Sequence, residues 1–362
     1  MAAHQEVQLE KDRWVQQAGR KTSKQCCAQR PSIPSQQTHI YLKTLLSIVV
    51  VATLSACGVL PLGQSNTAFE KPSRKLPLII AHRAGADDYP ENTLLAIEGA
   101  LRNRADVIWL TVQLSRDGVP VLYRPADLAA NTNGAGPVAD KNLHELQQLN
   151  AGWQFTHAGN DGTKAYPYRS QALPIPSLEQ ALQAIPDSVP LILDMKALPA
   201  EPQAQAVAQI LDKMHAWSRV LIYSTDASYQ SAFEKFPQAK HFESRDQTRG
   251  RLATMALAQE CVSPPPKDSW VAFEYRRKVQ LLEAFTLGEA RSSVTAKLWT
   301  PTSVDCFRSN GKVNIIAIGI NGAEDYRAAA CLGIDAVLAD SPQKMQAIRS
   351  SQTNVIDCQS GR

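Results

Sequence analysis

The stretch AHRAGADDYPENTLLA (81–96) sets an imidazole and a guanidinium side by side, His82 and Arg83, at the end of an apolar run. An imidazole exchanges protons near neutral pH, and a guanidinium grips a phosphate through two parallel hydrogen bonds. The pair suits the handling of a phosphate ester. Spacing alone leaves a plainer reading open, in which Asn92 or Thr93 introduces a helix and His82 is a rim histidine beside it. Two further cations end apolar runs. Lys196 follows LILDM, two residues after Asp194, and either meets a bound anion or forms a strand-end salt bridge with that aspartate. Arg124 closes DVIWLTVQLSRDGVPVLYRP (106–125), which reads as a strand, a polar turn at Arg116-Asp117-Gly118 and a second strand. Arg124 is then either a pocket residue or a solvated hairpin residue. His144 and His157 lie in the Gly-, Asn- and Tyr-rich stretch 129–176 that follows.

These residues need a scaffold that brings strand ends together. Near-continuous apolar runs at 76–82, 106–112, 189–195, 219–224, 270–275, 313–320 and 334–340 read as strands buried on both faces. Helical patterns lie between them, at 92–103, 177–185, 204–217 and 324–333. Repeated βα units over this length predict a (β/α)8 TIM-like barrel, with a hairpin and an insertion after strand 2; a doubly wound sheet is the alternative. In a barrel the residues just after each strand form one mouth, and an insertion there shapes the pocket.

The formal net charge of +4 in 362 residues comes from the N-terminal leader: residues 1–43 hold seven Lys/Arg against three Asp/Glu, and the chain from 57 onward holds 31 of each. A balanced folded part argues against nucleic acid as a partner, since binding it requires an excess of cations to neutralise phosphates. LKTLLSIVVVATLSACG (42–58) has a basic residue, an apolar run too short to span a bilayer comfortably, and small residues ending at Cys57. It resembles a bacterial lipoprotein signal with Cys57 as the acylated residue; a buried apolar helix with a chance cysteine is the alternative. Residues 1–56 then form the leader and signal segment, and residues 57–76 the lipidated cysteine and a flexible tether. The folded barrel occupies 77–350 and a tail 351–362. The polar stretch 1–41 is either an unusually long n-region or lies upstream of the true start. Gly58 rather than Asp after the cysteine directs such lipoproteins, by resemblance, to the outer membrane facing the periplasm. Cys261, Cys306, Cys331 and Cys358 remain, without metal-site spacing, and an oxidising compartment allows them to pair or to stay as buried thiols.

The ordered set of motifs is more specific than any one of them. HRAGADDYPENT (82–93), RDGVPVLYRPADL (116–128), LNAGWQF (149–155), IPSLEQAL (175–182), LILDMK (191–196) and NGAEDYRAAACLGIDAVLADSP (321–342) resemble, in order, the signature elements of the glycerophosphodiester phosphodiesterase family. The resemblance covers about 77–342. It implies a TIM-like barrel that hydrolyses phosphodiesters in lipid metabolism, with a divalent cation (Ca or Mg), two histidines and a phosphate-binding arginine at the mouth.

Residue by residue, His82 matches the first catalytic histidine, Arg83 the phosphate-binding arginine, and Glu91 and Asn92 the element that supports the site. The pair of metal carboxylates falls on Trp109 and Thr111, and the second histidine falls on Arg124, so all three are replaced. Asp194 and Lys196 keep the charges of the family's Glu-x-Lys, as the related sphingomyelinase D group does, and the family's late tryptophan falls on Ile318. Calcium or magnesium requires several hard oxygen ligands, and Asp194, even with Glu91 or Thr111 nearby, is a poor cage. Two expectations follow. The chain is an envelope phosphodiesterase with an altered, impaired site in which Arg83, Arg124 and Lys196 hold phosphate around His82 and the cation is weakened or lost; or it is a non-catalytic barrel that binds a phosphate-bearing headgroup or a protein partner.

Overall fold

The computed structural model describes residues 75–158, 163–352 and 358. Its strands are β1 (Leu78–His82), β2 (Val107–Leu114), β3 (Pro120–Leu122), β4 (His157–Ala158), β5 (Lys164–Ala165), β6 (Leu191–Met195), β7 (Val220–Tyr223), β8 (Lys240–His241), β9 (Trp270–Glu274), β10 (Arg277–Phe285), β11 (Gly288–Ala296), β12 (Asn314–Ile318) and β13 (Ala336–Ala339). Its helices are α1 (Leu94–Arg102), α2 (Leu143–Gln147), α3 (Leu178–Ala184), α4 (Ala200–Lys213), α5 (Ser228–Glu234), α6 (Arg245–Ala258), α7 (Pro301–Phe307), α8 (Ala323–Leu332) and α9 (Pro342–Ser351).

Eight strands lie in the order β8-β7-β6-β2-β1-β13-β12-β9 and every neighbour pair is parallel. That order runs once around a ring in chain sequence, which a doubly wound sheet does not do. Between β8 and β9 no ladder forms among the described residues, but Glu243 N–H donates to Trp270 O at 2.9 Å and the Phe242 and Trp270 rings meet at 6.0 Å, so the barrel is nearly closed. The fifth barrel strand, β8, is two residues long and carries no apolar run, which is why the sequence pattern omits it.

Alternation along each strand divides the core. Inward residues, among them Ile80, Trp109, Ile192, Tyr223, Phe242, Ala272, Ile316 and Leu338, fill the barrel. Outward residues pack against the helices in two larger clusters, one around β2, β6 and α4 and one around β9, β12 and α8. Each fully buried Leu, Ile or Phe contributes about 1.5–3 kcal/mol, so these layers carry most of the favourable term in folding.

After β2 the chain turns at Gly118 (φ +78°) into β3, which pairs antiparallel with β2 through Val112 and Leu122. The insertion then builds a small core of its own from Val121, Tyr123, Leu128, Val138, Leu146, Ala151 and Ile175. A second excursion was not legible as structure: β10 and β11 form a nine-residue antiparallel arm, separate from the barrel sheet, after β9. All four remaining cysteines are paired, Cys261 with Cys306 and Cys331 with Cys358, which decides between the two readings of these thiols.

Candidate functional site

Because all barrel strands run parallel, their C-terminal ends share one mouth, and His82 closes β1 there. The loop that follows is wound tightly. Arg83, Ala84 and Gly85 all have left-handed φ (49°, 64° and 100°), and Asn92 does too at 58°. Non-glycine residues reach that region only when their surroundings hold them. Here Gly85 N–H donates to His82 O (2.8 Å), Ala84 N–H to Trp109 O (3.1 Å) and Asn92 N–H to Arg83 O (2.9 Å). Gly85 also lies under Pro342, where a Cβ would come within 2.9 Å of the ring. Thr93 ends the loop by capping α1, accepting from Ala96 N–H at 3.1 Å. The plainer sequence reading of a helix start at this point is therefore also true; it describes how the loop is anchored.

The His82 ring is fixed on both sides. Its Nδ1 lies 2.6 Å from Asp340 Oδ1, and Arg83 Nε–H donates to its Nε2 at 3.1 Å. Those two contacts fit one tautomer, with the proton on Nδ1 and the lone pair on Nε2. Asp340, just past β13, is itself oriented by Asn321, whose amide donates to its second oxygen at 2.7 Å. The hydrogen bond from His82 holds the Asp340 carboxyl below the usual range, although burial pulls the other way. Sequence reading gave Asp340 and Asn321 no role. The signal was there in Asp340, a carboxylate directly after the apolar run of the last strand.

Arg83 is paired with Glu91, which in turn accepts from Asn131 of the insertion at 3.0 Å. Asn92 is buried, and its side-chain oxygen accepts from Thr111 N–H at 2.9 Å. Glu91 and Asn92 thus tie the β1 loop to the insertion and to β2. Arg124, by contrast, is exposed at the end of β3, and no hydrogen bond or ion pair joins it to another described residue. His144 on α2 and His157 on β4 are exposed as well, and His157 packs edge-on against Phe155 at 5.1 Å.

The floor of the mouth is where the chain departs from a metal-binding arrangement. Trp109 stands in register with His82 on β1 and Ile192 on β6, and its ring is buried 4.7 Å from Tyr223 and 6.3 Å from Phe242. Thr111 is in register with Asp194 and fully buried. Asp194 lies 3.1 Å from Lys196 Nζ, and Lys196 donates onward to Thr225 at 3.3 Å. Burial pushes the Asp194 carboxyl up, against the opposing pull of Lys196 and His82. Trp109 Nε1, Thr111 Oγ1 and Asn92 Nδ2 are buried without a hydrogen-bond partner, so the floor holds polar atoms but few anionic ones. No group of three or more His, Cys, Asp or Glu placed to hold a metal occurs among the described residues. A hard divalent cation requires several anionic or carbonyl oxygens. An aromatic ring, a hydroxyl and a carboxylate already facing an ammonium do not fit that requirement.

The far wall carries charges that sequence reading also passed over. Arg245, opening α6, pairs with Glu274 at the end of β9 at 2.5 Å, and Arg277 reaches the same carboxylate at 3.2 Å. Burial raises the Glu274 carboxyl, but the two guanidiniums outweigh it and hold the group below its usual range. Tyr223, buried beside Arg245, has its phenol pushed up to about 12, chiefly by desolvation. The mouth is therefore ringed by compensated pairs: His82 with Asp340, Arg83 with Glu91, Lys196 with Asp194, and Arg245 with Glu274.

Comparison with known proteins agrees with this architecture. Residues 82–344 match the profile of the glycerophosphoryl diester phosphodiesterase family. The uncharacterized protein Rv2277c of Mycobacterium tuberculosis is 48% identical over 301 residues, which cover 82% of this chain and 96% of that protein. The crystal structure of its glycerophosphoryl diester phosphodiesterase domain superposes with a TM-score of 0.70 at 47% identity, over 76% of this chain and all of that one. An Oleispira antarctica phosphodiesterase, solved in complex with the product sn-glycerol-3-phosphate, shares the fold at 22% identity, with a TM-score of 0.54 over 76% of this chain and 98% of that one.

Proposed function

Since the chain belongs to the glycerophosphoryl diester phosphodiesterase family, we propose that it binds glycerophosphodiesters at the barrel mouth and hydrolyses them slowly, through an altered site that works without a tightly held cation. The observation that carries this reading is the pairing of an intact His82–Asp340 dyad with a floor in which Trp109 and Thr111 take the place of carboxylates. In the proposed complex the phosphodiester enters between Arg83 and Lys196 and competes with their carboxylate partners. As Arg83 turns from His82 to the phosphate, the Nε2 lone pair it had engaged is freed and accepts a proton from an attacking water. The water oxygen bonds to phosphorus, the bond from phosphorus to the alcohol oxygen breaks, and the departing alkoxide takes its proton from solvent. Asp340 steadies the imidazolium. Arg83 and Lys196 offset charge on the non-bridging oxygens. A leaving-group acid is missing, because the second histidine of the family falls on Arg124 and a guanidinium does not give up its proton. Its absence costs about 10²–10⁴ in rate.

The test is purified protein on glycerophosphocholine, with calcium, with magnesium and with a chelator, beside His82→Ala. Slow choline release that the chelator leaves unchanged and His82→Ala abolishes supports the proposal. Release that requires added metal contradicts it. Retained glycerol phosphate binding with no turnover supports the second reading, a barrel that only binds phosphate-bearing headgroups; the neutralised pair of Asp194 and Lys196 favours it.

We further propose that the protein is a lipid-anchored envelope protein acylated at Cys57, residing at the outer membrane and facing the periplasm; Cys57 and its signal segment lie outside the described residues. The two disulfides support export, because such bonds persist in oxidising compartments. Cys57→Ser should abolish acyl labelling and release the chain from the membrane fraction. Unchanged attachment of that variant would count against an acyl anchor.

A further inference from the structure

The arm formed by β10 and β11 is not used by the site, and its chemistry is unlike that of a solvated hairpin. Cross-strand register puts Val279 opposite Val294, Leu281 opposite Ser292, Glu283 opposite Ala290 and Phe285 opposite Gly288. One face of the ribbon is therefore largely apolar. The other carries Lys278, Gln280, Ser293, Thr295, Arg291 and Glu289 around Leu282 and Ala284. Leu281, Leu282, Phe285 and Val294 are all exposed, and Leu287, in the tip turn, is 98% exposed. A lone two-stranded ribbon is marginal in water, so an uncovered apolar face calls for a surface to cover it.

Both feet of the arm stand on the mouth of the barrel. β10 starts three residues after Glu274 ends β9, and β11 returns to Trp299, which is buried and donates to Phe273 O at 3.2 Å. Arg276 holds the first foot to Asp325 at 2.5 Å. Arg276 and Arg277 are compensated there by Asp325 and Glu274, which leaves Lys278 and Lys297, on opposite sides of the same root, as the charges open to a headgroup. The arrangement is an apolar tip above a basic collar.

We propose that this arm is a membrane-contacting element: its tip, Phe285 to Leu287, enters the interfacial region of a bilayer, and the collar at its root meets anionic headgroups. Apolar area plus attraction to anionic lipid is the combination that holds interfacial elements on membranes. A second copy of the chain is the poorer occupant. At about 3.4 Å per residue and about 4.8 Å between strands, the ribbon face offers roughly 300 Å², well short of the roughly 800 Å² per partner of a stable interface. The contact would set the mouth with His82 and Arg83 against the lipid surface, where phosphodiester headgroups lie. It does not depend on the proposed activity or on Cys57.

The experiment uses the full chain carrying Cys57→Ser and Leu287→Trp, with vesicles of phosphatidylglycerol and phosphatidylcholine or of phosphatidylcholine alone. Leu287 is open to solvent, so the indole does not disturb packing. On anionic vesicles the added tryptophan should shift its emission to the blue relative to the Cys57→Ser chain and be quenched by brominated acyl chains. Salt should weaken the effect, and adding Lys278→Gln with Lys297→Gln should raise the lipid concentration needed at least threefold. A tryptophan that stays solvent-like while the chain sediments with the vesicles would overturn the proposal. So would a blue shift that grows with protein concentration in the absence of lipid, which would assign the arm to a second copy.

Discussion

Asp194 shows most sharply how the environment of one side chain sets its chemistry. The net effect of its surroundings is to raise its pKa, since desolvation outweighs the pull of Lys196. A carboxyl whose folded pKa is raised contributes stability that is fully present below its unfolded pKa of about 3.9 and is lost as pH rises through the folded value. Asp194→Asn removes that titration. Its melting temperature should therefore gain on the unaltered chain as pH rises from about 4, and the two should converge at lower pH. A variant that loses ground as pH rises would mean that the ion pair with Lys196 wins over burial. Residues of this kind were partly legible in the sequence: His82, Arg83, Asp194 and Lys196 stood out as charges ending apolar runs. Asp340 also ends an apolar run, but its partner is His82, 258 residues away in the chain, and the run does not say which residue it meets.

At the scale of elements, β2 decides what the mouth can hold. Its inward positions, Val107, Trp109 and Thr111, build the barrel floor in place of a polar cage, and Trp109 is part of the barrel core through Tyr223 and Phe242. Trp109→Ala should thus behave as a core truncation and cost about 3–5 kcal/mol, read from the denaturation midpoint at unchanged m-value. A loss under about 1 kcal/mol, far below that truncation range, would show that the ring is not packed as described and that the floor is open to other ligands. Seven of the eight barrel strands were visible as apolar runs. β8 was not, being two residues held by its neighbours, and neither was the β10–β11 arm. Its first strand breaks alternation at Leu281-Leu282 and Ala284-Phe285, and the arm is exposed along most of its length, so neither period nor burial marks it in the sequence.

For the molecule as a whole, the barrel brings distant strand ends into one mouth and compensates nearly every charge it places there. The chain from 57 onward is likewise balanced, at 31 basic and 31 acidic residues, so any attraction of the mouth for phosphate is a local effect of the cations placed there and not of net charge. It should also be screened by salt. Fold and family could be read from the ordered motifs, because those motifs are the loops that a (β/α)8 barrel gathers at one end. The extent of catalysis could not, since it depends on how Trp109, Asp194 and Lys196 share a buried floor. The central claim is that this floor dispenses with a tightly held cation. Its most direct test is calorimetric titration of sn-glycerol 3-phosphate into the protein with chelator and then with calcium or magnesium, beside Arg83→Ala. The account predicts the same affinity under all three conditions and at least a tenfold loss in Arg83→Ala, about 1.4 kcal/mol. Binding that appears only when metal is added, or that is indifferent to Arg83, would contradict it.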